Sequence, residues 1–274
     1  MQSDTICIWN LNLCYRTLGD GPDVLFVHGW ASSGRMWGAA MQALADRYRC
    51  WAVDLVGFGD SDKPRNGWYA LPNYTATLRQ FAEVVGVRQA HVVGHSMGGM
   101  IALDLAASYP WLVRRLAVIN PVVTGRIQFP LPPRLDTLDA VSGPRYPLPL
   151  LALARHAWPA AARFAARHPA SAWASARSLV GRWGDWAKPT ADSALGGIRA
   201  ILNYDTTPLL PQIASPTLVM VGEHDPTISP GEGRLAADRI PNSRLEVLPA
   251  GHHIADEMPR EFLALLSEFL AAAD

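Results

Sequence analysis

The chain has 274 residues, 49% hydrophobic and 18% charged, a composition that can bury a core and does not resemble a disordered chain. The formal net charge is zero, which argues against a general nucleic-acid-binding protein. No apolar run reaches the roughly 20 residues of a membrane span, and the N-terminus lacks the basic region of a signal peptide. The three cysteines, Cys7, Cys14 and Cys50, lack metal-ligand spacing, so we predict a reduced, cytoplasmic, metal-free protein in which they are core residues.

Strands and helices alternate along the first 121 residues. Two short strands are predicted within residues 5–18, and the next run, DVLFVHGW, predicts a buried strand that feeds a loop. The following segments predict a helix at 35–48, a strand at 50–55, a helix at 74–87, a strand at 90–95, a helix at 97–108 and a strand at 113–120. Short connections between alternating elements predict a mostly parallel, doubly wound α/β sheet of about eight strands.

The alternation stops after the sixth strand and resumes near the C-terminus. Residues 122–203 contain clustered prolines and then helical segments, with no clear strand. Beyond them we predict strands at 216–225 and within 244–253, and helices at 230–240 and 258–272. The chain is therefore predicted to have a core domain at 1–121 and 204–274 and a helical cap at 122–203. Such an insertion lies over the carboxyl ends of the strands, where an open α/β sheet places its site.

The segment GHSMGG places Ser96 between a predicted strand and a predicted helix. A serine in a tight strand-to-helix turn projects its hydroxyl, and small residues such as Gly94 and Gly98 are needed beside it. The helix that follows offers free N–H groups and a partial positive charge, so the N–H of Met97 can face a developing oxyanion. A second N–H is expected from the loop after an earlier strand, and in HGW that is the N–H of Trp30.

A nucleophilic serine also needs a base and a group that orients the base. Asp225 and His252 each follow a predicted strand of the parallel sheet, which predicts that both lie at the same edge as Ser96. In this interpretation His252 moves the proton and Asp225 fixes its tautomer. Their neighbours Glu223 and His253 are the alternative acid and base.

Six segments together resemble the α/β-hydrolase superfamily: HGW (28–30), DLVGFGDSDKP (54–64), GHSMGG (94–99), NP (120–121), VGEHDP (221–226) and GHHIADEMP (251–259). The resemblance covers the chain outside the insertion and implies Ser96, His252 and Asp225 as the triad, Trp30 and Met97 as oxyanion donors, and 122–203 as a lid. It implies no cofactor and no metal. Asn120 stands where some relatives carry the acid, which favours Asp225. Dehalogenase and epoxide-hydrolase relatives carry an aspartate nucleophile where this chain has Ser96, which argues against those two reactions.

Other residues near the predicted site are interpreted mainly as structural. His28 is expected to support the oxyanion loop and, as a second interpretation, to line the pocket, while His95 braces the Ser96 turn. Asp54 and the glycine loop at 57–59 are expected to support the fold. Glu257 is expected to cap the last helix, since acidic residues are favourable near a helix start.

The predicted cap is basic and rich in tryptophan. Residues 122–200 contain nine Arg and one Lys against four Asp, which indicates either a solvated helix surface or a platform for an anionic substrate or an acidic carrier protein. Some of its tryptophans are expected to form an aromatic pocket wall or to anchor the cap to the core: Trp158, Trp173, Trp183 and Trp186.

The residues favour a serine hydrolase that cleaves a small-molecule carboxylic ester or a similar acyl bond. A narrower alternative is an esterase for an acyl chain on an acidic carrier protein, since HGW, DLVGFGDS and the basic cap are similar to the pimeloyl-carrier methyl esterase branch. A lyase or perhydrolase on the same scaffold, and a ligand-binding receptor, are further alternatives. The sequence does not determine the oligomeric state.

Overall fold

A computed structural model of the chain describes residues 1–65, 67–128, 166–167, 183–186 and 188–272. These residues form one eight-stranded sheet with the strand order β1-β2-β4-β3-β5-β6-β7-β8. The strands are β1 Gln2–Ile8, β2 Leu11–Leu18, β3 Asp23–Val27, β4 Arg49–Val53, β5 Ala90–His95, β6 Val113–Ile119, β7 Thr217–Gly222 and β8 Ser243–Leu248. β1 and β2 form an antiparallel hairpin that pairs antiparallel to β4, and all later pairs are parallel. The predicted α/β fold is confirmed.

The helices alternate with the strands as the sequence predicts. They are α1 Gly38–Leu44, α2 Leu71–Val84, α3 Met97–Ser108, α4 Trp183–Trp186, α5 Ala191–Leu202, α6 Pro230–Arg239, α7 Ile254–Glu257 and α8 Pro259–Ala271. The predicted helix at 35–48 is wrong at both ends: it starts as a 3₁₀ helix, Gly34–Trp37, and α1 ends at Leu44. The N–H groups of Arg47 and Tyr48 both donate to the Leu44 carbonyl and close the last turn before β4. No helix in the described ranges combines the length and apolarity that a bilayer crossing requires.

The central strands are buried on both faces because helices cover both sides of the sheet. Alternation along β3 sends Leu25 and Val27 to the face covered by α2, α3 and α6, and sends Val24 and Phe26 to the face covered by α1 and α8. Strands that are buried on both faces are mainly apolar and lack a polar alternation, so the segments 23–27 and 90–95 could be predicted as buried strands from the sequence. The edge strand β1 differs: its residue Cys7 is exposed, so the prediction that all three cysteines are core residues is wrong.

The parallel strands bring six loops to one edge of the sheet. β3 to β8 all run in the same direction, so six segments leave the sheet on the same side, those that follow Val27, Val53, His95, Ile119, Gly222 and Leu248. These segments carry nearly all the side chains that the sequence marks as catalytic or supporting. The fold therefore explains why residues far apart in the chain can form one site.

The chain leaves the core after β6 and returns before β7 at nearly the same point. The N–H of Thr206 donates to the Val123 carbonyl over 2.8 Å. The Glu232 carboxylate at the start of α6 accepts from the N–H groups of Val123 and Thr124. Helices α4 and α5 lie between these points, inside the predicted cap, and the described part of 122–203 contains no strand. The cap boundaries stay a prediction, because most of that range lies outside the described residues.

Candidate active site

Ser96 lies in a strained turn between β5 and α3. Its backbone angles are φ 56° and ψ −119°, a conformation that a non-glycine residue adopts only when the surrounding structure enforces it. A Cβ atom at Gly94 would lie 2.3 Å from the Gly98 carbonyl oxygen, and one at Gly98 would lie 2.4 Å from the carbonyl oxygens of Val27 and His28. Positions 94 and 98 must therefore both be glycine for the turn to form. The turn matches the geometry that presents a nucleophile at the start of a helix.

The loop after β3 lies directly against this turn. A Cβ atom at Gly29 would lie 3.2 Å from the Cβ of Ser96, so Gly29 allows the two segments to touch. The next residue is Trp30, and Met97 begins α3 on the other side of Ser96. The structure thus brings the segments of both expected oxyanion donors next to Ser96.

Asp225 and His252 are joined by a hydrogen bond. His252 Nδ1 lies 2.7 Å from Asp225 Oδ2, and the side chains are 11% and 0% exposed. The other oxygen, Oδ1, accepts from the N–H groups of Thr227 and Ile228 at 2.7 and 3.0 Å, which fixes the orientation of the carboxylate. Because Oδ2 of a carboxylate only accepts, Nδ1 carries the hydrogen and leaves Nε2 able to accept a proton.

The alternative acid and base are placed differently. Glu223 is exposed to solvent, and His253 packs with its ring centroid 5.3 Å from that of His252. It is thus the Asp225–His252 pair that the structure joins by a hydrogen bond. This arrangement favours the assignment that the sequence preferred.

Glu257 stabilises the loop that carries His252 and does not cap the last helix. It is the final residue of α7, and Met258 is the residue that precedes α8. Its carboxylate accepts from the N–H of Gly251 at 2.7 Å and from the N–H of His253 at 3.1 Å. The expectation from sequence is wrong because Glu257 ends the short helix α7, and its carboxylate bonds the loop before α7 while Met258 precedes α8. Its carboxylate instead bonds both neighbours of His252.

Asn120 and His95 are two further supporting residues, and their binding partners could not be predicted from the sequence. Both donate to the main-chain carbonyl of His252, at 2.9 Å from Asn120 Nδ2 and 2.8 Å to His95 Nε2. The signal in the sequence was an asparagine at the end of β6 and a histidine directly before Ser96, but their shared partner is 132 or more residues away. Spacing alone therefore could not reveal the contact.

His28 supports the loop after β3 and has no exposed surface. Its Nδ1 lies 2.7 Å from the Gly29 carbonyl oxygen, and its Nε2 accepts from the N–H of Leu55 at 2.9 Å. Burial lowers the pKa of His28, which keeps the ring neutral and Nε2 free to accept. The structural interpretation fits these contacts, whereas a pocket-wall role does not.

Helix α5 packs directly on Trp30. The indole Nε1 donates to the Ala194 carbonyl at 2.8 Å. A Cβ atom at Gly197 would lie 2.8 Å from Trp30 Cδ1 and 2.9 Å from Phe58 Cζ, so the glycine allows close contact. Among the predicted wall residues, Trp158 and Trp173 lie outside the described residues, as do the side chains of Trp183 and Trp186 at the ends of α4. Phe58 is an aromatic neighbour of Trp30 that the sequence did not indicate.

A charged cluster joins α4 to the core loops. Asp185 is 5% exposed and accepts from Ser33 Oγ at 2.7 Å and from the Arg35 guanidinium at 2.8 Å. Arg35 and Lys188 also pair with Asp60, and hydrogen bonds from these two cations lower the pKa of Asp60 to about 2. Through Asp185 and Lys188 the cluster connects α4, which lies in the predicted cap, to the loop that follows Trp30.

One group of possible metal ligands occurs in the described ranges, formed by Cys14, Asp54 and Asp60 within 4.8 Å of one another. The Asp54 carboxylate already accepts from the Arg16 guanidinium at 2.6 Å and from the N–H of Gly34 at 2.7 Å. Asp60 is paired with basic side chains. The positive charge that these carboxylates need is supplied by side chains, so the group is a structural ion-pair cluster, in agreement with the supporting role expected for Asp54.

Known proteins share this fold and sequence pattern. The sequence model of the alpha/beta hydrolase fold matches residues 22–259. The chain is similar to pimeloyl-[acyl-carrier protein] methyl ester esterase of Aeromonas hydrophila, with 27% identity over 95% of this chain and 100% of that protein. It is also similar to the magnesium-chelatase 30 kDa subunit of Rhodobacter capsulatus, with 29% identity over 86% of this chain and 82% of that protein.

A solved structure has the same fold as this chain. The enol-lactonase of Burkholderia xenovorans LB400 superposes with a TM-score of 0.82 and 24% identity, over 98% of this chain and all of that chain. At this identity the likeness concerns the fold alone. The family model that matches residues 22–259 shows that the chain belongs to the α/β-hydrolase family, and the order of the strands and the turn at Ser96 agree with it.

Proposed function

We propose that the chain is a serine hydrolase that cleaves a carboxylic ester through an acyl-enzyme on Ser96. The observation that carries this proposal is the His252–Asp225 hydrogen bond of 2.7 Å, formed at the sheet edge that also holds the strained Ser96 turn. A carboxylate that orients a histidine near a serine in a strand-to-helix turn is the arrangement that serine acyl transfer requires.

The first half of the reaction transfers the acyl group to the enzyme. Ser96 Oγ attacks the ester carbonyl carbon while its proton moves to Nε2 of His252, and Asp225 stabilises the imidazolium. The negative oxygen of the tetrahedral intermediate accepts hydrogen bonds from the N–H groups of Met97 and Trp30, each worth about 2.7–4 kcal/mol in comparable enzymes. The intermediate collapses, the carbon–oxygen bond breaks, and the alcohol leaves with the proton from His252.

The second half releases the acid. A water molecule loses a proton to His252 Nε2 and attacks the acyl carbon on Ser96. The same two N–H groups stabilise the second oxyanion, and His252 returns the proton to Ser96 as the carboxylic acid leaves. No cofactor or metal is part of this proposal. A reducing, cytoplasmic setting is proposed on the odd number of cysteines.

A carrier-linked ester is the second candidate substrate. It is favoured by the similarity to the Aeromonas hydrophila esterase, whose name specifies an acyl-carrier protein, and by the excess of arginine within 122–200. Positive charge near the site opening would attract an acidic carrier. A lyase, a perhydrolase or a receptor on the same fold are the other outcomes that an experiment must separate.

The test is a series of p-nitrophenyl esters from acetate to laurate, run beside a methyl ester of an acyl group on a carrier protein and on a small thiol. Turnover that disappears in Ser96→Ala supports the proposal. A preference for short free esters supports a small-ester enzyme, and strong selectivity for the carrier-linked ester supports the second candidate. A fluorophosphonate that fails to label Ser96, with no ester turnover, contradicts both and favours a receptor or non-hydrolytic relative.

A further inference from the structure

We propose that His95 and Asn120 are positioning residues that hold His252 in place for proton transfer with Ser96, through the main-chain carbonyl of His252. This inference rests on the proposed function, because it assigns both residues to the same reaction. Neither residue belongs to the proposed triad or to the oxyanion donors.

Asn120 joins the loops that carry the acid and the base. It follows β6 with φ 44°, a left-handed conformation that asparagine tolerates better than most residues. Its Oδ1 accepts from the N–H of Gly222 at 2.7 Å, at the end of β7 and three residues before Asp225. Its Nδ2 donates to the carbonyls of Gly251 and His252 at 3.1 and 2.9 Å. The side chain is buried and uses both its acceptor and its donor.

His95 joins the base loop to the nucleophile turn. Its Nε2 lies 2.8 Å from the His252 carbonyl oxygen, and a carbonyl can only accept, so Nε2 carries the hydrogen and the tautomer is fixed. The ring packs against the ring of His252 with centroids 4.6 Å apart. Because His95 directly precedes Ser96, its hydrogen bond relates the base loop to the nucleophile through one peptide unit. His95 is 4% exposed.

The two donors together occupy both lone pairs of one carbonyl. The carbonyl of His252 is therefore fixed from two directions, by a residue of the Ser96 turn and by a residue tied to the Asp225 loop. The imidazole keeps only its side-chain torsions, and Asp225 fixes those through Nδ1. Proton transfer depends steeply on distance, and a displacement of about 1 Å can cost about 100-fold in rate. Loss of one donor should thus lower kcat and leave substrate binding nearly unchanged.

The experiment compares His95→Asn with His95→Gln. The glutamine amide reaches about as far as Nε2 of histidine and restores the donor, whereas the shorter asparagine amide does not reach the carbonyl. We expect His95→Asn to lose about 10- to 100-fold in kcat with KM changed by less than about threefold, and His95→Gln to keep kcat within about threefold. Equal kcat in the wild-type enzyme and His95→Asn, equal losses in both variants, or a loss confined to KM would overturn the proposal.

A second measurement does not depend on turnover or on the proposed function. The Nδ1–H proton between His252 and Asp225 gives a low-field NMR signal, and we expect that signal to shift or broaden in His95→Asn and in Asn120→Asp but to match wild type in His95→Gln. Asn120→Asp keeps the acceptor for Gly222 and removes the donor to His252. An unchanged signal in all three variants would contradict the positioning role. Failure of the proposed function shows separately, as a wild-type enzyme without ester turnover or Ser96 labelling.

Discussion

Replacing Asp225 by asparagine tests how the acid works, because the structure fixes which way the new amide must face. Oδ1 of Asp225 accepts two backbone N–H groups, from Thr227 and Ile228. The asparagine oxygen must take that place, since an NH₂ group there would leave one buried and one partly buried N–H unsatisfied, at up to about 1–3 kcal/mol each. The NH₂ group then faces His252 Nδ1 and donates to it. The hydrogen of the imidazole moves to Nε2, where it blocks acceptance of the Ser96 proton.

The wrong tautomer sets the size of the expected effect. The corresponding substitution in serine proteases lowers kcat about 10⁴-fold, which corresponds to about 5 kcal/mol of barrier at about 1.4 kcal/mol per tenfold. We expect Asp225→Asn to show a loss of this order in kcat for a p-nitrophenyl ester, with little change in melting temperature because the amide keeps its bonds to Thr227 and Ile228. Circular dichroism melting and steady-state kinetics on the same preparations measure both.

The matched control is Glu223→Gln, a change of the same chemistry two residues away on an exposed side chain. It should leave kcat within about threefold of wild type. Loss of turnover in Glu223→Gln with turnover kept in Asp225→Asn, or wild-type turnover in both variants, would refute the role of Asp225 as the orienting acid.

Three further predictions concern the supporting residues. Glu257→Gln cannot accept from both Gly251 and His253, so we expect about 1–3 kcal/mol lower stability in urea unfolding; an unchanged midpoint would contradict this. Gly197→Ala places a Cβ 2.8 Å from Trp30, and the overpacking cost of about 1–3 kcal/mol should exceed the roughly 1 kcal/mol gained from helix propensity. The control Gly38→Ala has no atom within 4 Å of its added Cβ and should not be destabilised. Equal melting temperatures for the two variants would contradict tight packing of Gly197 on Trp30. Burial lowers the pKa of His28, so as the pH falls below about 6.5, the pKa of an unfolded histidine, the unfolded state binds a proton that the folded state does not. The free energy of unfolding then decreases by up to about 1.4 kcal/mol per pH unit. In urea unfolding between neutral and acidic pH, His28→Gln should lose less stability than wild type, and equal slopes would contradict a buried neutral His28.

The strands and the loop edge could be predicted from sequence because their signal is local. Segments such as 24–27 and 90–95 lack the polar alternation of a half-exposed strand, and parallel pairing then puts the segments after Gly222 and Leu248 at the same edge as the turn at Ser96. The tight turn at Ser96 could also be predicted, because such a turn needs glycine two residues before and two residues after the serine. Local patterns thus sufficed to predict the family, whereas the triad of Ser96, Asp225 and His252 stays a prediction.

The contacts that hold the site together could not be predicted, because they join distant main-chain atoms. Glu257 bonds two N–H groups in the preceding loop, and Asn120 bonds carbonyls more than 130 residues away. An acid near a helix start is interpreted as a cap from sequence, and only the hydrogen bonds of Glu257 to Gly251 and His253 show otherwise. Packing of α5 on Trp30 likewise depends on Gly197, whose neighbours are set by the tertiary fold.

The most direct measurement of the central claim is the mass of the enzyme trapped during turnover. The protein is mixed with a p-nitrophenyl ester, quenched in acid within the first turnover, digested and analysed by mass spectrometry. We expect one acyl group on the peptide that contains Ser96, with a stoichiometric burst of p-nitrophenol, and neither signal in Ser96→Ala. Turnover without an acyl group on Ser96, or acylation of another residue that persists in Ser96→Ala, would contradict it.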